Sequence, residues 1–333
     1  MAEAKRLLVL TRDRSGAPFR QRIEPYLVPL AARGIAAEIV ELARPALARH
    51  GQLRRAREFD GVLLHRKTLT WWDVQALGAG ARRLIYDFDD AVMYQARSPD
   101  RPHAGRLRRF ERTVQLADLV IAGSPVLATR ADLAGAWESE VVPTGLDARR
   151  FDTRTDYGKA GTLRLVWIGS ASTLRQLAPL RPALEEIGRA LPGTVLRVIA
   201  DAELHLERLR VENVPWSLEA EGRLLAQCDV GLAPLADTPY TQGKCGFKVL
   251  QYMAAGLPVV ASPVGVNADY VRPYVNGFHA TAADEWVEVL RRLAADPSLR
   301  ERLGRAGRER IVREFDFSVL APRVVELVAR ALA

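Results

Sequence analysis

Two lysines four positions apart, Lys244 and Lys248, stand in the run Gly243-Lys244-Cys245-Gly246-Phe247-Lys248. Elsewhere the chain draws its positive charge almost wholly from arginine: of 48 basic residues only five are lysine. A surface-filling role would have drawn arginine here too. A spacing of i, i+4 predicts both ammonium groups on one side of a helix start, beside unpaired backbone N–H groups and the positive end of the helix dipole. That arrangement holds a phosphate. Two solvated lysines at a loop–helix junction are the plainer alternative.

Other residues could also do chemistry. Gly169-Ser170-Ala171-Ser172-Thr173 follows the apolar run 163–168. Gly169 allows close backbone approach, and Ser172 or Thr173 can cap a helix whose N-terminus then meets an anion. An ordinary strand–helix turn would use the same residues. Asp87-Phe88-Asp89-Asp90 follows the run 84–86. Its carboxylates can hold or deprotonate a hydroxyl, bind a divalent cation, or, at Asp90, cap the next helix. Arg20 and Arg22 come after a Ser15-Gly16 loop, and His65-Arg66-Lys67 ends the run 61–64. Each of these is either a site residue or a solvated strand end.

The elements that must position these groups alternate along the chain. Strand-like runs fall at 6–11, 37–40, 61–64, 84–86, 119–122 and 141–142, then at 163–168, 195–199, 230–233, 258–261 and 277–278. Helical segments such as 18–33, 104–117, 174–190, 219–227, 247–255 and 284–294 separate them. Parallel strands need crossovers, and the crossovers are helices, so this alternation implies α/β domains with parallel sheets covered on both faces. A polar stretch without periodicity, 151–162, reads as a linker. Two Rossmann-like domains in tandem result, and ligands of such domains bind at the carboxyl ends of the strands.

Composition narrows the class. No run of 18 uncharged apolar residues exists, so no segment spans a membrane as a helix. The start, Met1 to Arg6 followed by Leu7-Leu8-Val9-Leu10, is too short and too acidic for a signal peptide and reads as a first strand. Cys228 and Cys245 form neither a disulfide framework nor a metal pattern. A cytoplasmic protein is expected. Residues 1–150 carry 25 basic against 18 acidic side chains (+7), and residues 151–333 carry 23 against 22 (+1). The first half is therefore the one to meet an anionic partner. Its densest patch, Arg101, Arg106, Arg108, Arg109 and Arg112, suits an anionic membrane surface, an anionic substrate or a solvated helix face. No nucleic-acid motif or aromatic–basic platform accompanies it.

The run Gln251-Tyr252-Met253-Ala254-Ala255-Gly256-Leu257-Pro258-Val259-Val260-Ala261-Ser262, with Gly265 after it, resembles the donor-site signature of the retaining family 4 (group 1) glycosyltransferases of GT-B fold. Val142-Pro143-Thr144-Gly145-Leu146-Asp147, Val166-Trp167-Ile168-Gly169-Ser170, Cys228 to Leu235 and Asn276-Gly277-Phe278 resemble further segments of that family. The resemblance covers roughly 140–315 well and the first half loosely. Two departures stand out: the signature's first glutamate falls on Gly243 and its second on Gln251. The usual basic pair after the first donor-domain strand is also missing, Ser170 taking the arginine's place. A subgroup that reads Gly-Lys-Cys-x-Phe-Lys at this point is similar, and there Lys244 and Lys248 would supply the charge.

The resemblance implies a GT-B fold: a first domain, 1–150, for the acceptor; a donor domain, 160–315; a central cleft that the two face; and a terminal helix, about 316–333, packed back on the first. It implies transfer of a sugar from a nucleoside diphosphate sugar, UDP- or GDP-linked, to a hydroxyl on a glycan or lipid-linked acceptor, with retention and without a required metal or other cofactor. The donor would meet Gly169, Ser170, Ser172, Thr173, Lys244, Gly246, Phe247, Lys248, Gln251 and, at the base, Trp216, unless Trp216 simply packs in the core. Lys244 and Lys248 would neutralise the departing diphosphate, and Asp89, at the position of the family's histidine, would meet the acceptor hydroxyl, with Arg20, Arg66 and Asp90 near it. Peripheral attachment to the inner membrane face through the basic half is a further expectation. A non-catalytic nucleotide-sugar-binding partner subunit is the alternative from another class. A sugar-nucleotide epimerase would need an acid–base pair that is not evident.

Overall fold

The computed structural model describes residues 4–158 and 160–333. Met1–Glu3, the start of the stretch read above against a signal peptide, and Lys159 of the expected linker lie outside the described residues. The chain divides into two compact units: residues up to Gly145 with Thr238–Cys245 and Phe317–Ala333, and Leu146–Asp237 with Gly246–Asp316.

The first unit is built on a six-stranded parallel sheet of order β2-β1-β3-β4-β5-β6. Its strands are β1 (Lys5–Thr11), β2 (Ile35–Glu41), β3 (Gly61–His65), β4 (Leu84–Phe88), β5 (Leu119–Ala122) and β6 (Ser139–Val141). β3, β4 and β5 are buried along their whole length, as strands covered on both faces must be. One face packs Leu8, Leu64, Tyr86 and Phe88 under Phe110 of the helix Ala104–Leu116. The other packs Leu7, Val9, Ile85 and Ile121 under the helix Glu24–Ala32 and the terminal helix Phe317–Ala331, whose Leu320, Val324, Leu327 and Val328 enter the core.

The second unit repeats the plan with order β12-β11-β10-β7-β8-β9, again all parallel. Its strands are β7 (Arg164–Ile168), β8 (Val195–Ile199), β9 (Arg210–Val214), β10 (Val230–Ala233), β11 (Val259–Ala261) and β12 (Gly277–His279). In each sheet the strand order reverses beside the first strand, at β1/β3 and at β7/β10. Loops leaving the carboxyl ends there diverge and open a crevice for ligand. The candidate residues after β1 and β3, and those after β7, lie at these two points.

Three expectations are corrected. The stretch 151–158 is packed, not a free linker: Phe151 and Tyr157 are buried, and Arg154 pairs with Asp229 at 2.6 Å while Tyr157 Oη donates to Gly256 O at 3.0 Å. The helix expected over 174–190 is broken into one turn, Ala171–Leu174, a 3₁₀ stretch, Arg175–Leu180, and a helix, Arg181–Ala190, because Pro179 and Pro182 cannot donate to a continuous ladder. β9 was not expected. It is a half-buried edge strand whose Glu212 and Asn213 hide its apolar content, Glu212 pairing with Arg197 and Asn213 bonding to the Leu204 backbone.

Candidate functional site

In the first unit, β3 and β4 pair in register with His65 beside Asp87, so the residues just past their ends converge. Arg66 has a left-handed backbone (φ 57°), uncommon for a residue with a side chain, and its N–H donates to Asp87 O at 2.8 Å. The turn aims its guanidinium at the aspartates: Nε lies 3.3 Å from Asp89 Oδ1 and Nη2 3.1 Å from Asp90 Oδ2. Lys244 Nζ lies 3.0 Å from both Asp90 oxygens, donates to Tyr240 Oη at 2.9 Å and sits 4.4 Å from the Tyr240 ring centroid. Burial works against the Lys244 charge, but Asp90 outweighs it and raises the pKa above its ordinary value. Arg66 is raised in the same way, burial being overcome by Asp89 and Asp90.

Asp89 is buried, and its Oδ1 makes no hydrogen bond among the described residues. Its backbone is approached so closely by Gly123 that a Cβ there would lie 2.8 Å from Asp89 Cα. Asp90 caps no helix: turns follow it, the next helix begins at Ala104, and its Oδ1 accepts from the Ala91 N–H at 3.0 Å. Asp87 turns the other way, paired with buried Arg22 at 2.9 Å. Arg22 thus braces β4, with Nη1 also donating to Val142 O at 2.5 Å. Arg20 reaches back to the Ser15 carbonyl of its own loop. Among the described residues no three His, Cys, Asp or Glu side chains converge as metal ligands.

A cleft of about 1070 Å³ opens beside this network. Its walls include Thr11 and Arg12 after β1, His65, Arg66 and Lys67 after β3, and Asp90 and Tyr240. His65 Nδ1 lies 3.1 Å from Thr11 Oγ1, and Nε2 has no hydrogen-bond partner among the described residues. Burial, with Arg66 and Arg22 nearby, pulls its pKa down to about 3, so the ring is neutral.

In the second unit, Gly169 follows β7 at a point where a Cβ would lie 2.5 Å from Trp167 Cη2 and 2.7 Å from Thr173 Oγ1. The Trp167 ring also underlies Lys248, whose Nζ is 5.2 Å from the ring centroid and 3.4 Å from Gln176 Oε1. Trp167 therefore links the loop to the lysine. Four of the loop's backbone donors are already engaged: Gly169 N–H bonds to Ile199 O at 3.0 Å, Ser170 N–H to Thr173 Oγ1 at 3.1 Å, Ala171 N–H to Asp201 Oδ1 at 2.5 Å and Thr173 N–H to Ser170 O at 2.9 Å. Ser170 Oγ lies 2.9 Å from Ser172 Oγ. A carboxylate from β8's following turn thus stands at the place expected for a phosphate.

The two lysines do not share a helix. The helix Phe247–Ala254 starts after Gly246, whose φ of 65° breaks the run, and Lys244 belongs to the first unit. An L residue at 246 would be strained, and its Cβ would press on Val266 and Tyr270. Phe247 packs against the second unit's core. Gln251 is buried and donates to Glu221 Oε2 at 3.1 Å, and the half-exposed Trp216 donates its Nε1–H to the same oxygen at 2.9 Å.

Residues 212–310 match the family described as glycosyl transferases, group 1. Over 210 residues the chain is 23% identical to the glycogen synthase of Mycobacterium tuberculosis, covering 59% of this chain and 50% of that protein. Over 212 residues it is 24% identical to the GDP-mannose-dependent monoacylated alpha-(1-6)-phosphatidylinositol monomannoside mannosyltransferase of Corynebacterium glutamicum, covering 57% and 55%. The chain spans about half the length of the curated relatives it matches. HepE of Anabaena, solved in complex with UDP and glucose, has a TM-score of 0.75 at 18% identity over 98% of this chain and 100% of that one. That likeness shows a GT-B fold. The fold likeness spans nearly the whole chain, and the group 1 match covers residues 212–310.

Set against the group 1 signature, Glu221 is the residue that sequence reasoning missed. The signature's second acid is the neutral Gln251 here, and its amide is tied to a carboxylate 30 residues earlier. The available signal was an acid opening a helix, Glu221–Ala226, five residues after Trp216. Only the tertiary fold brings the two side chains together.

Proposed function

We propose that this chain is a retaining glycosyltransferase that moves a sugar from a nucleoside diphosphate sugar to an acceptor hydroxyl. The observation that carries the reading is Lys248, held over Trp167 at the reversal point of the second sheet within the segment that matches group 1 glycosyltransferases. Lys248 is placed to neutralise the diphosphate as it leaves, with the hydroxyls of Ser170, Ser172 and Thr173 as further donors. Glu221, with Gln251, returns to the second unit the negative charge of the missing signature acid and suits the ribose hydroxyls, with Trp216 at the base.

The first unit takes the acceptor. Asp89, held by Arg66, accepts the hydroxyl's hydrogen bond and orients it, and Asp90 with Lys244 fixes Arg66. In the transfer the bond from the anomeric carbon to the diphosphate oxygen breaks and a bond to the acceptor oxygen forms on the same face. The hydroxyl proton passes to the departing diphosphate. No covalent enzyme intermediate enters.

Donor identity divides the relatives: HepE was solved with UDP and glucose, and the Corynebacterium enzyme is GDP-mannose-dependent. The deciding experiment is thermal stability against UDP, GDP, ADP and dTDP, then slow hydrolysis of the matching sugar nucleotide. A ligand at about 100 times its dissociation constant adds about 2.7 kcal/mol. One diphosphate that stabilises the chain, with turnover of its sugar conjugate, bears the reading out. Binding without any turnover would replace it with a binding subunit.

A further inference from the structure

The cleft of the first unit is far more cationic than the transfer of a sugar to a neutral hydroxyl requires. Arg12, Arg44, Lys67, Arg97, Arg106 and Arg109 line it, and among the described residues none of the six is in an ion pair. The acids on its wall are Asp13 and Asp90, and Asp90 is already neutralised by Arg66 and Lys244. By contrast, the cations that serve the fold are matched: Arg49 pairs with Asp73 at 2.9 Å and Arg22 with Asp87.

The unmatched charges also crowd one another. The Lys67 pKa is lowered first by burial and then by Arg49, with Arg12 and Arg109 adding to this against the opposing pull of Asp73. A cluster that strains itself in this way gains from an anion placed among its members. A built feature faces the same space: His65, 3% exposed, lines the cleft with a neutral ring and an unpartnered Nε2. The basic helix Ala104–Leu116 contributes here too, because Arg106 and Arg109 belong to the cleft wall, with Arg106 Nη1 fixed by Tyr94 O at 2.9 Å.

We infer that the acceptor carries phosphate, and that Lys67, Arg12 and Arg109 hold it in this cleft while the hydroxyl meets the aspartates. The inference rests on the reading of the first unit as the acceptor side. Carboxylate sugars would meet the same cations as single charges. A phosphate or diphosphate fits better, because three lining cations near enough to act on one another match a compact anion of two or more charges.

The test uses the full chain with its donor site filled by whichever nucleoside diphosphate stabilises it. Binding of glucose 1-phosphate is then compared with methyl glucoside, in wild type and in Arg109→Gln and Lys67→Gln. The phosphate is expected to bind at least about tenfold more tightly than the neutral sugar, with each variant losing most of that difference. Raising ionic strength from about 0.01 M to about 0.15 M should weaken the phosphate alone, as the screening length falls from about 30 to about 8 Å. Equal binding of the two sugars, or a phosphate preference untouched in both variants, overturns the inference. Competition by phosphatidylglycerol vesicles supports it with a lipid-borne phosphate as the source, and glucose 1-phosphate binding without such competition supports it with a soluble one. Arg109 is exposed, so its loss leaves the fold intact, and unchanged nucleoside diphosphate binding in the variants confirms this. Failure of every nucleoside diphosphate to bind the wild type would instead sink the donor reading of the second unit.

Discussion

Lys244 Nζ sits 3.0 Å from both carboxylate oxygens of Asp90, a residue 154 positions earlier in the chain. The pair binds the short segment Thr238–Cys245 into the first unit, although most of the chain on either side of that segment belongs to the second. Gly243 makes the approach possible: a Cβ there would lie 2.6 Å from Ala91 Cβ. Both partners are about three-quarters buried, so removing either leaves a charge poorly solvated. A double-mutant cycle with Lys244→Ala and Asp90→Asn should give a coupling energy of about 1–3 kcal/mol in urea unfolding. Strict additivity would show that the pair is incidental to the segment's placement.

Lys248 Nζ lies 3.4 Å from Gln176 Oε1 and 5.2 Å from the centroid of the Trp167 ring. Within the segment that matches group 1 glycosyltransferases, this charge is the proposed partner of the diphosphate. Lys248→Ala should therefore weaken nucleoside diphosphate binding by about tenfold or more, a loss of at least about 1.4 kcal/mol. Lys248→Arg should recover part of it, because the charge returns on a bulkier head. Calorimetric titration reads both. Wild-type affinity in the alanine variant would remove Lys248 from the donor site.

Much of this architecture was legible because its signals are local. Apolar runs such as Leu7 to Leu10 and Val259 to Ala261 betray strands buried on both faces, and the Gly169 and Gly246 turns punctuate them. The candidate residues were legible one at a time, not in their pairings. Neither the contact of Lys244 with Asp90 nor that of Gln251 with Glu221 has a sequence signature, because both depend on which helices and loops pack together. The i, i+4 reading of the lysines failed on one backbone angle, the left-handed φ at Gly246. The phosphate reading of the loop after β7 met Asp201, a carboxylate 30 residues on that takes the Ala171 N–H for itself.

Glu221 gathers two donors on one oxygen, from Trp216 and Gln251. Glu221→Ala would leave the buried Gln251 amide without that acceptor, while water can reach the half-exposed Trp216 ring. A loss of about 1–3 kcal/mol in unfolding free energy is expected, with a red shift and broadening of tryptophan emission as the indole is released. Glu221→Gln retains an amide oxygen as acceptor and should lose less. An alanine variant as stable as the parent would mean that other groups satisfy Gln251.

His65 makes the first unit sensitive to acid. Its pKa falls from the ordinary 6.5 to about 3, chiefly because the ring is buried and secondly because Arg66 and Arg22 are near. Above pH 6.5 the ring is neutral folded or unfolded and stability is unaffected by it. As pH falls from 6.5 towards 3 the unfolded chain binds a proton that the folded chain does not. Stability is then lost at up to about 1.4 kcal/mol per pH unit, reaching about 2 kcal/mol at pH 5. His65→Gln keeps a polar group near Thr11 and cannot titrate. The difference in unfolding free energy between variant and wild type, followed from pH 7 to pH 5, should shift in the variant's favour by that amount. Parallel curves would mean that the ring takes up its proton in the folded state, with Nε2 turned to water in the cleft.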